Sequence, residues 1–254
     1  MTGDFIWYDL MTPDLEAATL FYSAVVGWKI ADAGMPGMNY SILSAGAVMA
    51  GGLMQRPPEM GDAMPGWQGH IHVPDVDDFA KRVTKAGGHI LRQPSDIPGV
   101  GRFALASDPH GAAFILFKPD SAESPAKVAR GTPGHIGWRD LRSGNGAEAW
   151  AFYSQVFGWT KAEAIDMGPG GTYQMFTTPG ESEMGGGMMT KMPQTPGPMW
   201  VYFFNTDGID AAASRVKAAG GLVVMEPMEV PGGQWIIEAT DPAGSRFGLV
   251  ALGR

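Results

Sequence analysis

The chain states one pattern twice. Trp7-Tyr8-Asp9-Leu10 returns as Trp138-Arg139-Asp140-Leu141, Phe21-Tyr22 as Phe152-Tyr153, and Gly27-Trp28 as Gly158-Trp159, each 131 residues later. Ala86-Gly87-Gly88 returns as Ala219-Gly220-Gly221, and Asp108-Pro109-x-Gly111 as Asp241-Pro242-x-Gly244, 133 residues later. Repetition of this kind restricts the chain to two copies of one fold. Such an internal pseudo-dimer can form a cleft between copies and then let each copy diverge. With 254 residues, each copy is long enough to bury its own core.

The local patterns give each copy a strand–helix–strands order, repeated within the copy. Phe5 to Leu10 reads as a strand. Thr12-Pro13-Asp14 reads as a helix start, with Thr12 as N-cap and Pro13 in the first turn, and Gly27 as the stop. Strands follow near Asn39–Ser44 and Ala47–Met54, then a Pro/Gly/Met-rich loop from Gln55 to Pro65, then a strand at His70–Val73. Asp75 caps a second helix whose Val76, Phe79, Ala80 and Val83 form one apolar stripe, ended by Gly87. Strands near His89–Arg92, Arg102–Ser107 and Ala113–Lys118 complete the copy, with Asp108 to Gly111 as a hairpin turn. In the second copy Ile209, Ala212, Ala213 and Val216 repeat the stripe and Gly220 the stop. The expected domains are 4–119 and 134–254, with 120–133 as linker.

Composition excludes several classes. The net charge is −8 and no long basic run occurs, which argues against nucleic acid as a partner. No apolar stretch approaches ~20 residues, and the first residues lack a signal-peptide pattern, so the expectation is a cytoplasmic protein without a membrane span. There is no cysteine, hence no disulfide, thiolate metal site or cysteine nucleophile. No Walker A, dinucleotide or Gly-x-Ser-x-Gly motif is present.

The remaining residues leave chemical alternatives open. Trp7 and Asp9 alternate onto one strand face, as do Trp138 and Asp140. The tryptophans are either core packing or the wall of an aromatic pocket. Asp9 and Asp140 either fix a turn by hydrogen bonding or serve as acid or base in a cleft. His70 and His72 form the chain's only His-x-His and could share a metal, though no third ligand stands out. Copy two carries Phe203 and Asn205 there. His89, His110 and His135 are expected at the surface. Arg102, in a glycine-rich loop, meets either an anionic group or solvent. Gly51-Gly52 and Gly185-Gly186-Gly187, flanked by methionines, would let a ligand or another backbone approach closely.

The run Trp7 to Asp14, with Phe21-Tyr22, Gly27-Trp28 and Asp108-Pro109-x-Gly111, resembles the vicinal oxygen chelate superfamily of glyoxalases, bleomycin-resistance proteins and extradiol dioxygenases. The opening motif and Pro98-Gly99-Val100-Gly101-Arg102 look like its tandem, SgaA-like branch. The resemblance implies an α+β fold of two tandem glyoxalase-like domains, each a pair of βαβββ modules with curved mixed sheets. It also implies where metal ligands would fall: on Trp7 and Trp138, on His70 and Phe203, on Ile115 and Gly248, and near Ala50 or Gly51. None of these sets retains a metal-binding combination. By resemblance, one cleft would combine Trp7 with Phe203 and Gly248, the other Trp138 with His70 and Ile115.

The resulting expectation is a metal-independent, monomeric binding protein without a cofactor. It would hold an apolar or aromatic small molecule between copies, against Trp7, Trp138, Tyr40, Tyr173, His70, Phe203 and Arg102. A lyase or isomerase using Asp9, Asp140 or His70 for proton transfer is the alternative, and a metal-dependent glyoxalase or dioxygenase a further one, with His70 and His72 as fallback ligands.

Overall fold

The computed structural model describes residues 2–35, 37–57, 66–121 and 128–254. Most of the expected Gln55–Pro65 loop and the middle of the linker lie outside these. The first copy runs β1 (Phe5–Thr12), α1 (Leu15–Val25), β2 (Lys29–Asp32), β3 (Tyr40–Ala45), β4 (Val48–Gln55), then β5 (Gly66–His72), α2 (Val76–Lys85), β6 (His89–Ile97), β7 (Gly101–Ser107), β8 (Ala113–Pro119). The second runs β9 (Ile136–Ser143), α3 (Gly146–Phe157), β10 (Thr160–Asp166), β11 (Thr172–Thr177), β12 (Gly186–Thr190), then β13 (Met199–Asn205), α4 (Ile209–Ala218), β14 (Leu222–Glu229), β15 (Trp235–Thr240), β16 (Arg246–Ala251). Each copy is therefore two βαβββ modules, an α+β architecture.

Helix starts follow the chemistry of their caps. Asp75 caps α2 by accepting a hydrogen bond from the Asp78 amide at 2.9 Å, and its stripe Val76, Phe79, Ala80 and Val83 is buried. The first helix starts later than its Thr12-Pro13 signal suggests. Asp14 is the N-cap and accepts from the Ala17 amide at 2.9 Å. Thr12 is still in β1, opposite Gln55 of β4, and a residue held in a sheet ladder cannot also open a helix.

Two eight-stranded mixed sheets result, in the orders β2-β3-β4-β1-β5-β8-β7-β6 and β10-β11-β12-β9-β13-β16-β15-β14. The parallel pairs include β1 with β4 and β12 with β9, and the hairpins are antiparallel.

By compactness the chain divides differently, into one unit of residues 1–6, 68–125 and 139–200 and another of 7–67, 126–138 and 201–254. Trp7, Phe203 and Gly248 fall in the second, and His70 and Ile115 in the first. Each unit draws on both copies, and each has an aromatic core. In the first, Trp159 stacks on Tyr153 at 4.8 Å and on Phe176 at 4.4 Å. Its indole N–H donates to the Gly3 carbonyl at 2.8 Å, and Trp200 donates to the Tyr153 hydroxyl at 3.0 Å. In the second, Trp67 donates to Tyr22 at 3.0 Å, Tyr22 donates to Asp241 at 3.2 Å, and Trp28 donates to the Gly134 carbonyl at 2.7 Å. Buried indole and phenol groups are thus paired rather than stranded.

The repeated motifs have a packing reason. A Cβ on Gly88 would sit 3.0 Å from the Phe152 ring and one on Gly221 2.7 Å from the Phe21 ring. In each unit, the glycine of one copy makes room for the Phe-Tyr pair of the other. Large apolar rings buried this way dominate the core energy, each worth about 1.5–3 kcal/mol of transfer free energy.

Candidate functional site

Trp7, Asp9 and Tyr40 form a closed hydrogen-bonded triangle. The Trp7 indole N–H lies 2.9 Å from Asp9 Oδ1 and 2.9 Å from the Tyr40 hydroxyl, which donates to the same Asp9 Oδ1 at 2.8 Å. Strand register builds this: Asp9 of β1 faces Gly52 of β4, which in turn faces Ile42, two residues from Tyr40 on β3. Asp9 is buried, while Trp7 and Tyr40 keep one part open. Burial, and next the Asp9 carboxylate, push the Tyr40 phenol far above its ordinary pKa, so it remains a proton donor at neutral pH.

Gly52 is what leaves room. A Cβ there would lie 1.9 Å from the Tyr40 hydroxyl and 2.3 Å from Asp9 Oδ1. The expected close approach at the strand glycines is therefore made by the protein's own tyrosine. The second copy repeats the device in part. Gly187 faces Asp140 across β12 and β9, and its Cβ would lie 2.1 Å from Tyr173 Cζ. There, however, Asp140 Oδ2 receives Arg142 Nε at 3.1 Å. Copy one has Met11 in place of Arg142, so the two copies differ in charge beside this carboxylate. Trp138 is half-buried on β9.

The positions expected to carry metal ligands hold other chemistry. His70 is buried, stands opposite Ile115 in the parallel ladder of β5 and β8, and meets the Phe117 ring edge-on at 5.4 Å. Phe203 stands opposite Gly248, and its ring takes the space of a Gly248 Cβ, which would lie 2.1 Å from Phe203 Cδ1. Opposite Gly248 on β15 is Glu238, 2% exposed, with Arg246 Nε 3.1 Å away in an ion pair without hydrogen-bond geometry. Sequence reasoning passed over Glu238 and Arg142, and nothing local marks Glu238 as buried.

Other expectations are redirected. Arg102 is committed to two carboxylates, Asp77 at 2.7 Å and Asp96 at 2.9 Å, so it is an ion-pair residue rather than an anion receptor. His135 is buried instead of exposed, and burial lowers its pKa. His110 is half-buried with Nε2 3.1 Å from Glu148. His89 is exposed. No three His, Asp or Glu side chains converge as a metal set among the described residues, so His72 adds no site to His70.

Residues 5–116 and 132–249 each match the pattern of the Glyoxalase/Bleomycin resistance protein/Dioxygenase superfamily. The chain belongs to that superfamily. CFP32 of Mycobacterium tuberculosis, by name a proposed glyoxylase, is 32% identical over 247 residues, covering 96% of this chain and 93% of CFP32. The anthracycline biosynthesis protein DnrV of Streptomyces peucetius is 30% identical, covering 97% of this chain and 92% of DnrV. Among solved structures, the Mn(II)-bound glyoxalase of Novosphingobium aromaticivorans matches with TM-score 0.68 at 17% identity, over 99% of this chain and 82% of that one. The 2,3-dioxygenase LapB of Pseudomonas sp. KL28 matches at 0.66 and 15%, over 99% and 93%. At those identities the structural likeness speaks for the shared fold.

A metal centre of the superfamily's kind does not fit these residues. An indole, a phenylalanine ring packed over a glycine, and an isoleucine offer no lone pair to a divalent ion, and one imidazole does not define a specific site. No helix among the described residues is long and apolar enough to cross a membrane.

Proposed function

We propose that this chain binds a planar, largely apolar small molecule, without a metal ion, against aromatic residues that replace the superfamily's ligands. The carrying observation is Trp7, half-buried and pinned through its N–H to Asp9 and Tyr40, at a position where the superfamily resemblance puts a metal ligand. A flat π face suits stacking on an aromatic ligand. The likeness to DnrV, named for anthracycline biosynthesis, supports a polycyclic aromatic ligand. Domains 4–119 and 134–254 are read as the inherited copies, and a monomer in the cytoplasm as the working form, since the internal repeat supplies the pairing. Proton-transfer chemistry by a lyase or isomerase has less support: Asp9 Oδ1 already accepts two hydrogen bonds and Asp140 is paired with Arg142.

Titration with an anthraquinone sulfonate, after chelator treatment, tests this. The expected result is saturable quenching of tryptophan fluorescence and a rise in Tm, both lost in a folded Trp7→Ala variant. Binding that requires an added divalent metal, or quenching unchanged in Trp7→Ala, overturns the reading.

A further inference from the structure

We infer that Asp9, Tyr40 and Gly52 form a positioning network for the Trp7 indole, and that this, in place of proton transfer, is the role of Asp9. The inference deepens the ligand-stacking reading, and rests on it only for what the held ring is used for. A half-buried tryptophan on a strand keeps rotational freedom about both side-chain torsions. Here the indole N–H is shared between two acceptors, each 2.9 Å away. The Tyr40 hydroxyl accepts from Trp7 and passes its own proton toward Asp9 at 2.8 Å. Each member thus fixes the next, and the ring plane is set before any ligand arrives. Ordering incurred on folding is not incurred again on binding, which is how preorganisation raises affinity.

The third member is a missing side chain. Tyr40 can reach Asp9 only because position 52 has no Cβ, which would fall 1.9 Å from its hydroxyl. The two donors that meet at Oδ1 hold that oxygen between the indole and the phenol, the orientation a positioning role requires. In copy two the arrangement differs at one point, since Arg142 engages the matching carboxylate.

Hydrogen exchange of the Trp7 indole N–H, followed by NMR in the full, ligand-free chain labelled with 15N-tryptophan, tests positioning directly. The signal is assigned by its disappearance in Trp7→Phe. Tyr40→Phe removes one acceptor and is expected to speed exchange by about tenfold. Asp9→Asn keeps an Oδ1 acceptor and is expected to stay within about threefold of wild type, while Asp9→Ala loses it and exchanges about tenfold faster. Exchange unchanged in Tyr40→Phe, with the fold intact by circular dichroism, overturns the inference. A parallel titration with anthraquinone sulfonate separates the two readings. Weaker binding in Tyr40→Phe with binding retained in Asp9→Asn supports both. Faster exchange in a protein that takes no anthraquinone upholds the network and removes the stacking reading alone. Loss of binding or turnover in Asp9→Asn with normal exchange overturns the positioning role.

Discussion

Replacing Gly52 with alanine is the sharpest perturbation of the Trp7 triangle. The new methyl carbon would lie 1.9 Å from the Tyr40 hydroxyl oxygen, whereas ordinary contact begins near 3.4 Å. The phenol must therefore retreat by about 1.5 Å. Hydrogen bonds of 2.8 and 2.9 Å cannot stretch that far and survive. The bond to the Asp9 carboxylate is worth about 1.5–3 kcal/mol and the one from Trp7 about 0.5–1.5 kcal/mol. Alanine recovers about 0.5–1 kcal/mol of strand propensity over glycine. The expected net loss is about 1–4 kcal/mol. Urea denaturation should give a lower midpoint at unchanged slope, with a red shift in tryptophan emission as the indole is released. Because one tyrosine carries most of the clash, Gly52→Ala and Tyr40→Ala should be strongly non-additive, with a coupling of about 1 kcal/mol or more. Additive losses, or a Gly52→Ala protein as stable as wild type, would refute the steric argument.

Two further outcomes follow from charge. Burial raises the Asp108 pKa, while its Oδ1 caps the His110 and Ala112 amides at 2.9 and 3.0 Å; the folded chain therefore binds more protons than the unfolded one between the ordinary carboxylate pKa and the raised value, and stability from this group falls as pH rises through that window. Wild type should lose stability relative to Asp108→Asn as pH climbs across it, and parallel Tm-against-pH curves would count against this. Arg142→Met copies Met11 into the second repeat and removes the ion pair to the Asp140 carboxylate, whose side chain is 9% exposed; a loss of about 1–3 kcal/mol in urea, partly recovered by adding Asp140→Asn, is expected, and no recovery would mean the loss is packing rather than charge.

The fold was legible because its signals are local or repeated. Glycine stops, the Asp75 cap and the buried stripes of α2 and α4 lie where their sequence patterns put them, and a period that recurs across the chain reports a second copy whatever the packing. The Thr12 helix start failed because the sheet ladder held that residue. Arg102 illustrates a different limit: of the two carboxylates that claim it, Asp77 lies 25 positions away and Asp96 six.

The sequence by itself determined two copies of βαβββ pairs and the superfamily, since repeated and local patterns carry both. Only the tertiary structure decided what the repeated motifs do. Phe21 and Phe152 pack against glycines of the opposite copy, and burial of rings between distant segments leaves no local trace. It also placed Asp9 in a hydrogen-bonded triangle. Nothing near Asp9 in the sequence shows that Tyr40, 31 residues away, donates to the oxygen that the Trp7 indole also meets. Strand register puts those groups together, and register is set by the whole sheet rather than by any stretch of sequence.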